Sequence, residues 1–383
     1  MSSYHSGIEL PVPGTEQIEH SSLLIDAILQ HIQSSGGVIS FRDYMQHCLY
    51  QPGLGYYSAG STKFGAGGDF VTAPEVSTLF GQCLANQGCA LFAQGLQKNI
   101  FEFGAGSGKL CVDIIRHLNN LGIDWSGYQI LELSSDLQQR QKMFIQQQLS
   151  PNDLNKIHWL SNLPQHFNGL VIGNEVLDAM PINVVIKNDG WVELGVAFNG
   201  QKFEWVEFSR NSEAVQRMRQ IDLHNSLAEQ YCSEVNLNYE PWFKSLQQSC
   251  DKAVVLLIDY GYEQKQYYHV QRTTGTLVCF YQHRVHPDPF IYPGLQDITA
   301  FVDFDAVAEA AENAGFSISG LTTQAKFLMS NGLLKLMPAD QTDEILQLEM
   351  SQQIKTLTLP GEMGEKFKVI SLQKDLNLEI TGI

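Results

Sequence analysis

Three glycines follow a short apolar run in IFEFGAGSGKL, residues 100–110, with Glu102 inside that run and Glu132 ending the next one, YQILEL. A strand that feeds a glycine turn and then a helix points free backbone N–H groups and a helix N-terminus at the crevice above a sheet. A dinucleotide site needs G-x-G-x-x-G, and the third glycine position here is Lys109. An NAD-dependent oxidoreductase is disfavoured on that ground. Gly104, Gly106 and Gly108 give G-x-G-x-G instead. That spacing better suits S-adenosylmethionine, which has no phosphates and carries a cationic amino-acid end that Glu102 can help hold. Glu132 can take both hydroxyls of the ribose.

Ligands sit at the carboxyl ends of the strands, so the residues after GLVIG should face the cofactor's reactive end. They are Asn174, assigned with the cofactor, and Glu175 and Asp178, in GNEVLDAMP. Two carboxylates at this spacing at the start of a helix share one face and suit a cationic acceptor. A guanidinium stays protonated at neutral pH and its delocalised charge makes it a poor nucleophile. Carboxylates holding it would fix one nitrogen and localise its lone pair. The N/D-P-P-Y type of corner that serves nucleic-acid amines is absent from the sequence. DYGY adds Asp259 and Tyr260 at the same edge, as a loop tip, and Tyr260 is counted with the catalytic set. His283, Arg284 and His286 cluster in GTLVCFYQHRVHPDPF; His283 reads as a hydrogen-bonder of the acceptor site rather than a metal ligand, and no metal is expected. Asp297 is either a further contact or a cap for a helix beginning at Phe304.

These groups need a scaffold. Residues 15–60 carry helical periodicity through Ile18, Leu23, Leu24, Ile25, Ile28, Leu29 and Ile32, stopping near Ser34, Ser35, Gly36 and Gly37, and a second helix starts at SFRDYMQHCLYQ. A glycine-rich loop over residues 61–75 leads into a helix over Thr78 to Ala93. NIFEFGAG, YQILEL, KIHWL and GLVIGNE then alternate with helical stretches, as parallel β-α-β units do. After Pro181, Asn188-Asp189-Gly190 and Asn199-Gly200 separate β-rich runs in the manner of hairpins, and AVVLLIDYGY resumes the buried-strand pattern. The expected architecture is α/β: a seven-stranded Rossmann-like sheet with an N-terminal helical cap and an inserted antiparallel β subdomain. The expected divisions are residues 1–95 for the cap and glycine-rich lid, 96–181 and 246–383 for the sheet domain, and 182–245 for the insertion.

Composition narrows the class. A chain of 383 residues with 44% hydrophobic content can bury a large core. Its formal charge of −17 and the lack of a Lys/Arg block argue against a nucleic-acid partner. No apolar run reaches the ~18 residues needed to cross a bilayer, and MSSYHSGIELPVPG does not resemble a signal peptide, so no membrane insertion and a cytoplasmic location are expected. The seven cysteines include no C-x-x-C pair and read as reduced core residues.

Taken in order, FRDYMQHCLYQPGLGYYS, GAGGDFVTAPEVSTLFG, FEFGAGSGKL, GNEVLDAMP, LIDYGY and GTLVCFYQHRVHPDPFIYPGLQDITAFVDF resemble the MidA-like family of class I methyltransferases, over roughly residues 38–370. Its mitochondrial members are the arginine methyltransferases that assist complex I assembly. The resemblance implies a class I methyltransferase sheet, S-adenosylmethionine as cofactor with S-adenosylhomocysteine as product, and symmetric dimethylation of an arginine presented by a partner protein. It implies as well that Gly68, Asp69, Phe70, Thr72 and Pro74 of GGDFVTAPE close over the cofactor. Phe301 stands where family members often carry a polar residue. A homodimer is compatible with this reading. The rival is a non-catalytic assembly protein that keeps the fold; the intact Gly104, Gly106, Gly108, Glu132 and Glu175 speak against it.

Overall fold

Uninterrupted apolar runs have to be covered on both faces, and this chain does so with helices packed about a mixed sheet. The computed structural model describes residues 10–58, 71–337 and 344–383, without the side chains of His224 and Asn225. The chain forms two units: Met1–Phe70, Asp178–Asn238 and Glu263–Phe301 in the first, and Val71–Leu177, Tyr239–Tyr262 and Val302–Ile383 in the second.

The second unit carries the sheet. Its strands lie in the order Ser317–Thr323, Phe367–Lys374, Cys250–Tyr262, Phe167–Asn174, Asn99–Phe103, Gly127–Leu131 and Ile157–Leu160, with Val302–Asp303 beside Cys250–Tyr262 as an eighth strand. Neighbours from Cys250–Tyr262 to Ile157–Leu160 run parallel, and the last two strands of the chain pair antiparallel at the other edge. The expected path of seven strands is present. The chain leaves Asn99–Phe103 toward one edge and later returns at Phe167–Asn174 toward the other, so the order reverses between these two neighbours. Ligands of open α/β sheets bind at the carboxyl ends beside such a reversal. The core under it contains Ile100, Tyr128, Ile130, Leu170, Ile172, Val254, Leu256 and Ile258, all at most 1% exposed. The helix Thr78–Ala93 has the bounds its pattern predicts. Asp259 and Tyr260, expected at a loop tip, lie inside the strand Cys250–Tyr262.

The first unit holds the helices Thr15–Ser34 and Phe41–Tyr50 and a five-stranded antiparallel sheet of Ile39–Ser40, Trp191–Phe198, Asn183–Lys187, Cys232–Val235 and Phe203–Ser209. The inserted β region is therefore antiparallel as expected. Asp189 (φ 49°) and Gly190 (φ 92°) both take the left-handed conformation in the three-residue connection between the paired Lys187 and Trp191. A three-stranded sheet of Arg284–His286, Val278–Tyr281 and Asp297–Thr299 completes the unit.

Glu234 anchors the first unit. It is 2% exposed, both its oxygens accept from Thr276 N at 2.9 Å, Oε1 accepts from Leu277 N at 3.0 Å and Oε2 from Thr276 Oγ1 at 2.9 Å. Burial pushes this carboxyl up while the donors from Thr276 and Leu277 pull it back. A Cβ on Gly275 would lie 2.1 Å from Oε1, so glycine is required there. Glu234→Ala strands two buried N–H groups and should cost about 3 kcal/mol. Chemical denaturation measures it; an unchanged midpoint would show that water replaces the carboxylate without loss.

Candidate cofactor and acceptor site

The turn after Asn99–Phe103 is built by three left-handed residues, Gly104 (φ 58°), Gly106 (φ 53°) and Gly108 (φ 85°), a conformation that any Cβ would strain. Their spatial roles differ. A Cβ on Gly104 would meet nothing within 4 Å, so this glycine opens onto free space. A Cβ on Gly108 would lie 3.1 Å from Ile145 Cδ1, so that glycine lets the helix Ser135–Gln148 pack close. Gly104 N donates to Leu131 O at 2.9 Å, tying the turn to the end of the adjacent strand. The N–H groups of Ala105, Gly106 and Ser107 donate to no protein acceptor among the described residues. Three successive free N–H groups form a concavity for a carboxylate.

Glu102 lies on the strand that leads into the turn, 2% exposed, and its Oε2 accepts from Tyr128 OH at 2.6 Å. Burial raises its pKa to about 7; the Tyr128 hydrogen bond opposes this and the charge of Glu132 adds to it. Glu132 directly follows Gly127–Leu131, as expected, and is 8% exposed. Its Oε1 accepts from Ser134 N and its Oε2 from Gln141 Nε2, both at 3.0 Å. Two buried acids and the glycine turn thus meet at the carboxyl ends of two neighbouring strands.

Across the reversal, Asn174 ends its strand, and its Nδ2 donates to Glu175 Oε1 at 3.1 Å. Its Oδ1 is buried with no hydrogen-bond partner among the described residues. Glu175 and Asp178 do not start a helix. Glu175 sits in a left-handed bend (φ 52°), its N–H bonded to Ile258 O at 2.8 Å, which closes the last strand pair, Asn174 with Ile258. Leu177 N then donates to Asp259 Oδ2 at 2.9 Å. This fully buried carboxylate takes the backbone donor of Leu177 and fastens the bend to the strand Cys250–Tyr262. Glu175 belongs to the sheet unit, whereas Asp178 begins a segment of the first unit. There Asp178 is 6% exposed and its carbonyl accepts from Ala300 N at 3.1 Å.

The other candidates fall as follows. Tyr260 is half-buried on Cys250–Tyr262, its ring edge-on to Phe367 at 5.5 Å. His283 (φ 61°) and Gln282 (φ 44°) form the exposed turn between Val278–Tyr281 and Arg284–His286, in the first unit. Asp297 caps no helix: it lies in the strand Asp297–Thr299 and accepts from Tyr57 OH at 3.0 and 2.8 Å. Asp303 caps the helix Phe304–Asn313. Phe301 N donates to Thr276 Oγ1 at 3.2 Å. Thr72 and Pro74 open the short helix Ala73–Val76, while Gly68, Asp69 and Phe70 lie outside the described residues. No group of three or more potential metal ligands occurs among the described residues.

Three supporting residues, Ser107, Tyr128 and Gln141, carry no reading in the sequence, and Lys109 carries one only as the residue that breaks the dinucleotide spacing. Ser107 Oγ donates to Glu75 Oε1, and Lys109 Nζ donates to Glu75 O at 3.2 Å, fastening the Ala73–Val76 segment to the glycine turn. Tyr128 reaches Glu102, and Gln141 reaches both Gly106 and Glu132. Strand alternation places Tyr128 and Glu132 on one face, which was the available signal. Gln141 sits among the glutamines of SDLQQRQKMFIQQQ and had none. The free N–H groups, the open space at Gly104, the orphaned Asn174 Oδ1 and the two acids fit a ligand with a carboxylate, an ammonium and a diol. S-adenosylmethionine has all three.

A family model described as "Putative S-adenosyl-L-methionine-dependent methyltransferase" matches residues 83–322. The mitochondrial protein arginine methyltransferase NDUFAF7 of Danio rerio is 29% identical, over 92% of this chain and 88% of its own. The Homo sapiens protein of that name is 25% identical, over 91% and 83%. A crystal structure from Burkholderia thailandensis, described as a "likely methyl transferase" bound to S-adenosyl-homocysteine, superposes with a TM-score of 0.90 at 39% identity, over 97% of both chains. The mitochondrial names of the curated relatives overturn the cytoplasmic location expected from the first residues of the chain.

Proposed function

We propose that this chain, which belongs to the S-adenosyl-L-methionine-dependent methyltransferase family, methylates an arginine side chain of a partner protein. The observation that carries the acceptor assignment is Glu175: a half-buried carboxylate bent out of the sheet beside the glycine turn and oriented by Asn174. The arginine-methyltransferase names of the curated relatives support the same reading.

The cofactor, when bound, supplies a methyl group on a sulfonium. The N–H groups of residues 105–107 hold its carboxylate, Glu102 its ammonium and Glu132 its ribose hydroxyls. Asn174 Oδ1 offers a further acceptor to the same ligand. Glu175 accepts N–H bonds from the guanidinium and draws its positive charge toward the nitrogens it holds, leaving the lone pair of the reacting nitrogen available. The reacting nitrogen loses one proton as it gains the methyl group, and the Glu175 carboxylate is the base placed to receive it. The resemblance to MidA-like proteins supports symmetric dimethylation as the end state.

Incubating the purified protein with methyl-labelled S-adenosylmethionine and a lysate of cells lacking it should label one protein band, with the label on arginine after digestion and mass spectrometry. Label on lysine or a carboxylate, or none with an intact cofactor site, would remove the arginine reading.

A further inference from the structure

We infer that Gln141 is the positioning residue of the cofactor site, its one side-chain amide holding the glycine turn and the ribose acid in fixed relation. The inference rests on the assignment of that turn and of Glu132 to the cofactor. Gln141 lies on the helix Ser135–Gln148 and is fully buried. Its Nε2 donates to Gly106 O and to Glu132 Oε2, both at 3.0 Å, and its Oε1 accepts from Trp159 Nε1 at 2.9 Å. The partners come from three successive β segments: the turn after Asn99–Phe103, the end of Gly127–Leu131, and Ile157–Leu160.

The amide has one workable orientation. Gly106 O and a carboxylate accept only, and an indole N–H donates only, so a flipped Gln141 would face all three with the wrong group. Both N–H hydrogens are used. A trans peptide points its C=O and N–H in opposite directions. Holding the Gly106 carbonyl toward Gln141 therefore turns the Ser107 N–H away from the helix, and this is one of the three N–H groups with no protein acceptor among the described residues. The second hydrogen of the same nitrogen sets Glu132 Oε2, while Ser134 N sets Oε1. The amino-acid end and the nucleoside end of the ligand are thereby referenced to a single atom. Gly108 makes the approach possible: a Cβ there would sit 3.7 Å from Gln141 Cα and tighter still against Ile145.

Two variants separate positioning from general packing. Gln141→Met keeps length and volume but removes all three hydrogen bonds. Gln141→Glu keeps an acceptor for Trp159 and sets a second carboxylate against Glu132, with Glu102 the next acid and Lys142, 5.2 Å from the Trp159 ring, the nearby cation. The readouts are the S-adenosylhomocysteine Kd by calorimetry at pH 6 and pH 8 and the melting temperature of the ligand-free protein. Gln141→Met should weaken binding at least ~10-fold at both pH values, with a melting temperature within a few degrees of wild type. Gln141→Glu should lose more affinity relative to wild type at pH 8 than at pH 6, because the protonated acid regains a donor toward Glu132. Wild-type affinity retained within about twofold by Gln141→Met overturns the inference, as does an equal loss at both pH values for Gln141→Glu; the latter stands as the test if Gln141→Met fails to fold. Wild-type protein that binds no S-adenosylhomocysteine removes the site assignment first, and the inference with it.

Discussion

Glu175→Gln should lower methyl transfer roughly a hundredfold while leaving S-adenosylhomocysteine affinity nearly unchanged. Glutamine keeps the size of the side chain and an oxygen that Asn174 Nδ2 can still meet, so the bend and its N–H bond to Ile258 O persist. The lost element is the negative charge. A charged hydrogen bond that strengthens as the transition state forms is worth about 2 to 4 kcal/mol, and such a loss appears in turnover rather than in ground-state binding. The groups assigned to the cofactor, Glu102, Glu132 and the N–H groups of residues 105–107, are untouched by the change. The backbone adds its own argument. A non-glycine residue at φ 52° carries strain of about 1 kcal/mol or more, and such strain persists where surrounding structure over-determines it. Here the last strand pair on one side and buried Asp259 on the other hold the bend. Single-turnover transfer with labelled cofactor separates the chemical step from binding. Full transfer by Glu175→Gln, to the same arginine, would leave Glu175 as a residue that only shapes the bend, and Tyr260 would become the next candidate in the sheet unit.

The division between what the sequence revealed and what it hid follows the range of the interactions. The glycine turn was legible because left-handed backbone at Gly104, Gly106 and Gly108 demands that residue type, and because strand, turn and helix follow one another along the chain. The hairpin at Asp189 and Gly190 was legible for the same local reason. Glu132 followed from its place at a strand end. The region after Asn174 carries a helix-start pattern without forming a helix, and the group that fastens its bend, Asp259, comes from a distant strand. Two acids are a dipole signal only where a helix follows, and here the chain turns at Asp178 and Ala179 and passes Pro181 into a strand without one. Asp297 does not cap the helix at Phe304, because capping reaches only two or three residues forward, and Asp303 is the acid at that distance, accepting from Asp305 N and Ala306 N at 3.2 Å. Gln141 stayed invisible for a different reason. A buried amide is distinguished by its partners, and all three come from other elements.

Glu102→Gln should stabilise the ligand-free protein at pH 8 while weakening its grip on the cofactor, an opposition that distinguishes a binding acid from a structural one. The folded protein holds the Glu102 proton up to about pH 7, against an ordinary value of 4.5. A carboxyl raised in this way contributes its stability fully below about pH 4.5, and that contribution is lost as pH rises through about 7. Above pH 7 the ionised, 2% exposed carboxylate therefore costs on the order of 3 kcal/mol. Glutamine carries no charge, and Tyr128 OH can still donate to its oxygen. Variant and wild type should be of similar stability at pH 5, with the variant more stable at pH 8. Binding should move the other way. The ligand's ammonium favours ionised Glu102, so binding at pH 6 to 7 expels a proton, and wild-type affinity rises with pH until about 7, by at most tenfold per unit. Glu102→Gln removes both the attraction and this slope. Chemical denaturation at the two pH values reads the first effect, and calorimetry in buffers of different ionisation enthalpy counts the protons released. A variant equally destabilised at both pH values, releasing as many protons on binding as wild type, would show that Glu102 is a packing residue hydrogen-bonded to Tyr128 and that another group meets the ammonium.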